Sequence, residues 1–277
     1  MNLQNIINEI AEVDPEVYER TSTRRHAFKH WGDFGKKLSL TALPLFFGSV
    51  LKKAYGQSTS GIADVLNFAL TLEYLEAGFY SSALASTALT FPTADAKAAI
   101  TTIGGHETAH VNFLKTVISG PLASTPVAQP NVDYTAKGTF PDVFSNYNTF
   151  LAVAQTFEDT GVRAYKGQAA NVQSNATVLT AALNIHSVEA RHASHIRQMR
   201  AAAGATVKPW ITGNSSGIDS TAVQASYNGE DNVSQGGVTI TSLTGVGGNV
   251  SANAATESFD EPLAKADVLA IVQPFLV

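Results

Sequence analysis

The stretch Ile185-His186-Ser187-Val188-Glu189-Ala190-Arg191-His192 decides how the chain is read. Its core is Glu-x-x-His, Glu189 with His192. An earlier stretch, Gly105-His106-Glu107-Thr108-Ala109-His110, repeats the pattern with Glu107 and His110. On a helix, residues three apart share a face, with Cβ atoms about 5–6 Å apart. A carboxylate and an imidazole so placed can hold one cation, or one of a pair. The chain has twelve Glu and seven His among 277 residues, and chance placement gives roughly 0.3 such pairs. Each copy also has a forerunner. Glu73-x6-Tyr80 begins 34 residues before Glu107, and Glu158-x6-Tyr165 begins 31 residues before Glu189. The order Glu-x6-Tyr, then Glu-x-x-His, therefore occurs twice, which is an internal repeat.

The bulk numbers narrow the rest. At 277 residues and 44% hydrophobic, the chain can bury one large core with appendages. A net charge of −5 carries no basic footprint for nucleic acid. With no Cys, disulfides, thiolate metal sites and a cysteine nucleophile are excluded. No apolar run reaches the roughly 18 residues a membrane helix needs.

Residues 1–57 read as an N-terminal helical extension with the layout of an export signal. Ile6, Ile7, Ile10 and Val13 fit a short amphipathic helix; Arg24, Arg25, Lys29, Lys36 and Lys37 precede the apolar run Leu38 to Leu51. Thr23-Arg24-Arg25-His26-Ala27-Phe28-Lys29 resembles a twin-arginine signal, with its aromatic one place late. The expectation is export to the periplasm or envelope, against a docked helix on a cytoplasmic protein. Residues 58–204 read as four helices, at about 61–84, 95–119, 142–169 and 175–203. The first is apolar around most of its circumference and still contains Glu73 and Glu76; buried carboxylates are costly unless paired, protonated or metal-bound. Gly120-Pro121 stops the second helix. The Pro-, Thr- and Gly-rich segment 120–141 is long for a compact domain and suits a crossover. Arg191, Arg197 and Arg200 read as the solvated or capping side of the fourth helix. Residues 205–277 read as a loop-rich cover over one end of the bundle, with a short strand at Gly237 to Thr241. A last helix is expected from Leu263 to about Val272, opened by Asp260-Glu261-Pro262.

One Glu from each of two helices, and one Glu-x-x-His from each of the other two, is the arrangement of di-iron and di-manganese carboxylate bundles. On these residues the chain resembles the ferritin-like superfamily, and its layout is similar to bacterial ferritin-like domain proteins related to desiccation-associated proteins. The resemblance covers about 60–203, and more loosely Phe259-Asp260-Glu261-Pro262-Leu263. It implies an all-α ferritin-like four-helix bundle with the crossover between helices 2 and 3. It also implies Glu73 and Glu158 as terminal metal ligands and Glu107 and Glu189 as bridging ones. By the same analogy Tyr80 approaches Glu158 and Tyr165 approaches Glu73.

The candidate ligands are thus Glu73, Glu107, His110, Glu158, Glu189 and His192, with Glu76 competing with Glu73 or joining it. Tyr80 and Tyr165 are core aromatics or hydroxyls serving the site. His106, His186 and His195 are read as capping or satisfying neighbours, and Asp159 as lying outside the ligand shell. Six oxygen and nitrogen donors suit two divalent ions, Fe or Mn, with Zn as a further candidate. The expected function is redox chemistry on dioxygen or peroxide, of ferroxidase, peroxidase or catalase type. The alternative is a non-catalytic metal-binding or metal-free bundle with a structural or stress-protective role. Metal ions and a small oxidant are the expected partners, and assembly into a homo-oligomer stays open.

Overall fold

The computed structural model describes residues 59–245 and 248–277. The expected N-terminal extension and signal lie outside the described residues. Four long helices make an all-α bundle: α1 (Thr59–Ala85), α2 (Ala94–Ser119), α3 (Tyr147–Val172) and α4 (Ala176–Ala202). Short loops make α1/α2 and α3/α4 antiparallel hairpins, and α1 and α3 pack across them.

Local chemistry sets the boundaries. The Thr93 hydroxyl accepts from Ala96 N and starts α2, with Asp95 in the first turn favourable to the helix dipole. Asn175 accepts from Val178 N and starts α4. α3 begins at Tyr147, not at Pro141 or Asp142. The Asn146 side chain takes the amides of Asn148 and Thr149, while Asp142 spends its backbone carbonyl on the amides of Ser145 and Asn146 in a separate turn.

The 120–146 connection follows α1 from one end to the other. Asn67 holds its start, accepting from Val127 N at 2.7 Å and donating to Thr125 O. The Tyr134 hydroxyl reaches the Leu75 carbonyl at 3.0 Å. Ser86 Oγ donates to the Phe144 carbonyl at 2.7 Å. Nineteen residues of helix separate Asn67 from Ser86, about 28 Å at 1.5 Å per residue. Gly78 makes the middle contact feasible, since a Cβ there would collide with the Tyr134 hydroxyl.

Apolar residues fall into two clusters. One gathers Phe79, Tyr80, Ile100, Ile103, Phe150, Phe157 and Ile196, with Phe79 stacked on Phe150 at 5.2 Å and edge-on to Phe157 at 5.1 Å. The other gathers Leu66, Leu70, Leu114, Ile118, Val172, Val178 and Ile185. On α2 and α4 the change from one cluster to the other falls at Glu107 and Glu189, so the polar layer lies between the two clusters there.

The C-terminal region is built of turns, two-residue hairpins (β1 Ser234–Gln235 with β2 Val238–Thr239; β3 Thr244–Gly245 with β4 Gly248–Asn249) and two short helices, α5 (Ala252–Thr256) and α6 (Lys265–Val272). It lies along the flank of α3, not over an end of the bundle. Arg163, fully buried, donates to the carbonyls of Glu261, Ser226 and Asn228, and its Nε is 2.7 Å from Glu230. Leu263 N donates to Arg163 O at 3.1 Å. Gly167 leaves room for this crossing strand, because a Cβ would overlap the Leu263 carbonyl. The last helix accordingly starts at Lys265 rather than Leu263. Pro262 stands before it, in the segment tied to α3.

Arg197 and Arg200 are buried, contrary to their expected solvated position. Arg197 grips Asp159 with two nitrogens, Nε to Oδ1 at 3.2 Å and Nη2 to Oδ2 at 2.5 Å. The Tyr227 hydroxyl donates to Asp159 Oδ2 at 2.8 Å and accepts from Gln155. Arg200 donates to Gln155 Oε1 and to Gly217 O. This network fastens the cover to α3 and α4. Removing one partner of a buried ion pair leaves an uncompensated charge. Asp159→Ala should therefore lose about 3–5 kcal/mol of stability in urea titration; a loss under about 1 kcal/mol would show the pair to be incidental.

Candidate metal centre

The four helices deliver their carboxylates to one space. Glu73 of α1, Glu107 of α2, Glu158 of α3 and Glu189 of α4 are each fully buried, and His192 is buried beside them. Two overlapping groups form. Glu73, Glu107, His110 and Glu189 offer ligand atoms all within 4.8 Å of one another, and so do Glu107, Glu158, Glu189 and His192. Glu107 and Glu189 belong to both.

The distances show how the sharing works. His110 Nδ1 lies 3.2 Å from Glu73 Oε2, 3.0 Å from Glu107 Oε2 and 3.1 Å from Glu189 Oε1. His192 Nδ1 lies 2.7 Å from Glu107 Oε1, 3.4 Å from Glu158 Oε2 and 3.9 Å from Glu189 Oε2. Each shared carboxylate thus turns one oxygen to each histidine. Tyr80 donates its hydroxyl to Glu158 Oε1, and Tyr165 donates to Glu73 Oε1. Each phenol crosses the bundle to the unshared carboxylate of the opposite hairpin.

His110 Nδ1 is hydrogen-bonded to Glu73 Oε2 and Glu107 Oε2, but closeness elsewhere in the cluster is not hydrogen bonding. Glu107 Oε1, Glu158 Oε2, both oxygens of Glu189 and His192 Nδ1 are buried without a hydrogen-bond partner. His192 Nδ1 and Glu107 Oε1 approach to 2.7 Å but are not aligned as donor and acceptor. Buried polar atoms left without partners are destabilising, and the rule that they find one is rarely broken. Five such atoms converging on one space fit cations as the missing partner. Carboxylate oxygen and imidazole nitrogen are donors that suit Fe, Mn and Zn. The buried Glu and His side chains could hold metal ions.

Glu76 is also buried but belongs to neither group. Its carboxyl lies beside Gly161: a Cβ on Gly161 would stand 3.1 Å from Glu76 Oε1 and 3.6 Å from Glu189 Oε2. Burial first, then the charges of Glu189 and Glu158, push its pKa well above the ordinary value. Of the two α1 carboxylates, Glu73 is the one that joins the cluster. Asp159 turns away to Arg197. His186 Nε2 is buried without a partner, so it neither caps nor satisfies a neighbour through that atom. His106 stacks on His192, with ring centroids 5.2 Å apart, and its Nδ1 is 3.0 Å from His192 Nε2. The sequence reading of His106 as satisfying a neighbour agrees with this contact but did not say which neighbour; the residue before Glu in the two repeats differs, His106 against Val188.

A groove of about 600 Å³ runs between α2 and α4 and reaches the centre from outside. Ile103, His106, His110, Val188, Arg191 and His192 line it, with His195 at its border. Among the described residues no helix is long and apolar enough to cross a membrane.

A four-helix bundle with a long second crossover and a buried carboxylate–imidazole layer defines the ferritin-like class. The chain belongs to the ferritin-like domain family, whose profile matches residues 61–202, just over half of its length. No curated protein and no solved structure matches it. The match supports the superfamily and does not extend to the resemblance with desiccation-associated proteins.

Without metal, the charges fix a sign for the pH dependence. Burial, followed by Glu107, raises the Glu73 carboxyl from 4.5 to about 7 despite the bond from His110. Burial likewise raises Glu158 and Glu189. The folded state then binds more protons than the unfolded chain above pH 4.5, so stability falls as pH rises through that window. Burial disfavours the charged imidazoles, but carboxylate partners outweigh it and raise His192 to about 10 and His110 to about 12. Their contribution is fully present below 6.5 and is lost as pH climbs through those values. Glu107 opposes this trend only in acid. Burial works against its charge, yet the bond from His110 and the nearby charge of His192 hold it at about 2, so its contribution is lost as pH falls from 4.5. In chelator, the melting temperature should drop between pH 6 and pH 9. A melting temperature that stays level or rises over that range would contradict the charge arrangement described.

Proposed function

We propose that Glu73, Glu107, His110, Glu158, Glu189 and His192 hold two divalent ions, Fe or Mn, and that the loaded centre reduces a small oxidant, dioxygen or hydrogen peroxide. The observation that carries this reading is the convergence of ligand atoms from all four helices on one buried space, with those of Glu107, Glu158, Glu189 and His192 left without a hydrogen-bond partner. Two redox-active ions would supply electron exchange with the oxidant; Zn would satisfy the same donors without that chemistry. Glu107 and Glu189 would serve both ions, since each offers one oxygen to either group. Tyr80 and Tyr165 would orient Glu158 and Glu73 through their hydrogen bonds, the kind of outer contact that tunes a metal ligand. The two apolar clusters exclude water above and below. The α2/α4 groove admits small molecules to the histidine side, which favours a small oxidant over a bulky substrate.

The protein loaded with Mn(II) or Fe(II) should bind two ions and melt higher than in chelator. Free ion at 100 times its Kd stabilises a fold by about 2.7 kcal/mol. Glu107→Ala and Glu189→Ala should each weaken both ions. Stopped-flow oxidation of the Fe(II) form and peroxide consumption by the Mn(II) form should outpace free metal and both variants. Tight binding without turnover would replace the redox reading by a non-catalytic metal-binding bundle. No binding would remove both.

The export reading of residues 1–57 stands on Arg24, Arg25 and the apolar run that follows. The planar guanidinium fork is not reproduced by an ammonium. Replacing both arginines by Lys should hold the protein in the cytoplasm, scored by fractionation. Unchanged localisation would favour the docked-helix alternative.

A further inference from the structure

The two halves of the repeat differ at one place beside the centre. His106 and Val188 each stand immediately before the shared Glu of their repeat, Glu107 and Glu189, and both line the α2/α4 groove. His106 faces His192: its Nδ1 is 3.0 Å from His192 Nε2, and the rings are near parallel at 13°. His192 is therefore held at Nε2 by His106 while its Nδ1 faces the carboxylates of Glu107 and Glu158. His110 matches His192 in the other repeat. Its Nδ1 also meets carboxylates, but the residue matching His106 in the other repeat is Val188, which carries no acceptor, and among the described residues the His110 Nε2 has no hydrogen-bond partner.

An imidazole that gives a cation its Nδ1 lone pair must carry its proton on Nε2. An acceptor opposite Nε2 selects that tautomer and fixes the ring's orientation. We propose that His106 is a positioning residue for His192, and that it makes the two ion positions unequal, the one beside Glu158 and His192 being the tighter. This rests on the reading of the centre as a two-ion site. In that role Nδ1 of His106 accepts from His192 Nε2–H, with the His106 proton on its own Nε2. The pseudo-symmetric position beside Glu73 and His110 lacks the device.

The test is calorimetric titration of the full chain with Mn(II). Wild type should show two binding events of unequal affinity. His106→Phe keeps an aromatic ring and removes the acceptor. It should weaken the tighter event about 10- to 100-fold and leave the other in place. His106→Asn sets an oxygen where Nδ1 stood and should restore affinity to within about threefold of wild type. An unchanged metal-free melting temperature in His106→Phe separates positioning from folding. In Zn-loaded protein, the His192 Nε2–H resonance in nitrogen-15 NMR should shift on His106→Phe and return toward its place in His106→Asn. The proposal is overturned if His106→Phe binds both ions as wild type does, if it weakens both alike, or if His106→Asn is as weak as His106→Phe. Those outcomes, with wild type still binding two ions, leave the two-ion reading intact. Wild type taking up fewer than two ions overturns both.

Discussion

Four carboxylates buried in one layer are the constraint on which the structure depends. Each would be expensive alone in an apolar core, and together they repel. The layer is tolerable because every helix contributes to it at the same height and because cationic or hydrogen-bonding groups come with it. His110 and His192 stand one helical turn after Glu107 and Glu189, and Tyr80 and Tyr165 two turns after Glu73 and Glu158. Helical spacing thus ties a carboxylate and its counter-group to one rigid element, and the crossing of the hairpins completes each pair. The two apolar clusters then pack on either side of the layer, and water can approach it only along the α2/α4 groove.

The outer packing is uneven, and that decides where the centre is reached. The crossover occupies the outside of α1, held at Asn67, Leu75 and Ser86. The C-terminal region occupies the outside of α3, held by Arg163, Arg197 and Arg200. α3 is consequently buried almost all round from Phe150 to Tyr165. α2 receives neither cover, α4 is covered only at its C-terminal end through Arg197 and Arg200, and the two helices barely touch one another. Their seam stays open as the groove, and the histidines of the two Glu-x-x-His motifs lie along it. The asymmetry thus follows from two segments with no helical periodicity.

How much of this could be read from sequence depended on whether a residue's partner was fixed by its own helix. Glu107 with His110, and Glu189 with His192, are three residues apart on a helix, so their shared face could be read before any tertiary information. The helix end set by Gly120 was legible for the same reason. The start of α3 was not, because Pro141-Asp142 and Asn146 offer competing starts, and only the fold shows which one caps the helix. Arg197 and Arg200 were misplaced because a charged helix face is usually solvated. Their partners, Asp159 and the carbonyls of the 205–263 region, come from elements far away in sequence. The partner of His106 could not be read, because a single histidine next to a motif has many bland uses. The signal available was the contrast with Val188, which gains meaning only when both residues are placed in one groove.

Charge accounting links the metal-free and loaded forms of the centre. In the metal-free fold Glu107 is held ionised by two protonated imidazoles, while burial and mutual repulsion favour the neutral form of Glu158, Glu189 and Glu76. The protons are therefore the resident cations. Two divalent ions would bring four positive charges to the four carboxylates of the cluster, and the imidazoles would have to be neutral to donate. Loading the site must then displace protons from both carboxyls and histidines, so uptake grows steeper as pH rises, opposite to the stability of the empty fold. Glu76 does not fit that balance as a fifth anion. Its position against Gly161, outside both ligand groups, lets it stay protonated and leaves the four cluster carboxylates matched to two divalent charges.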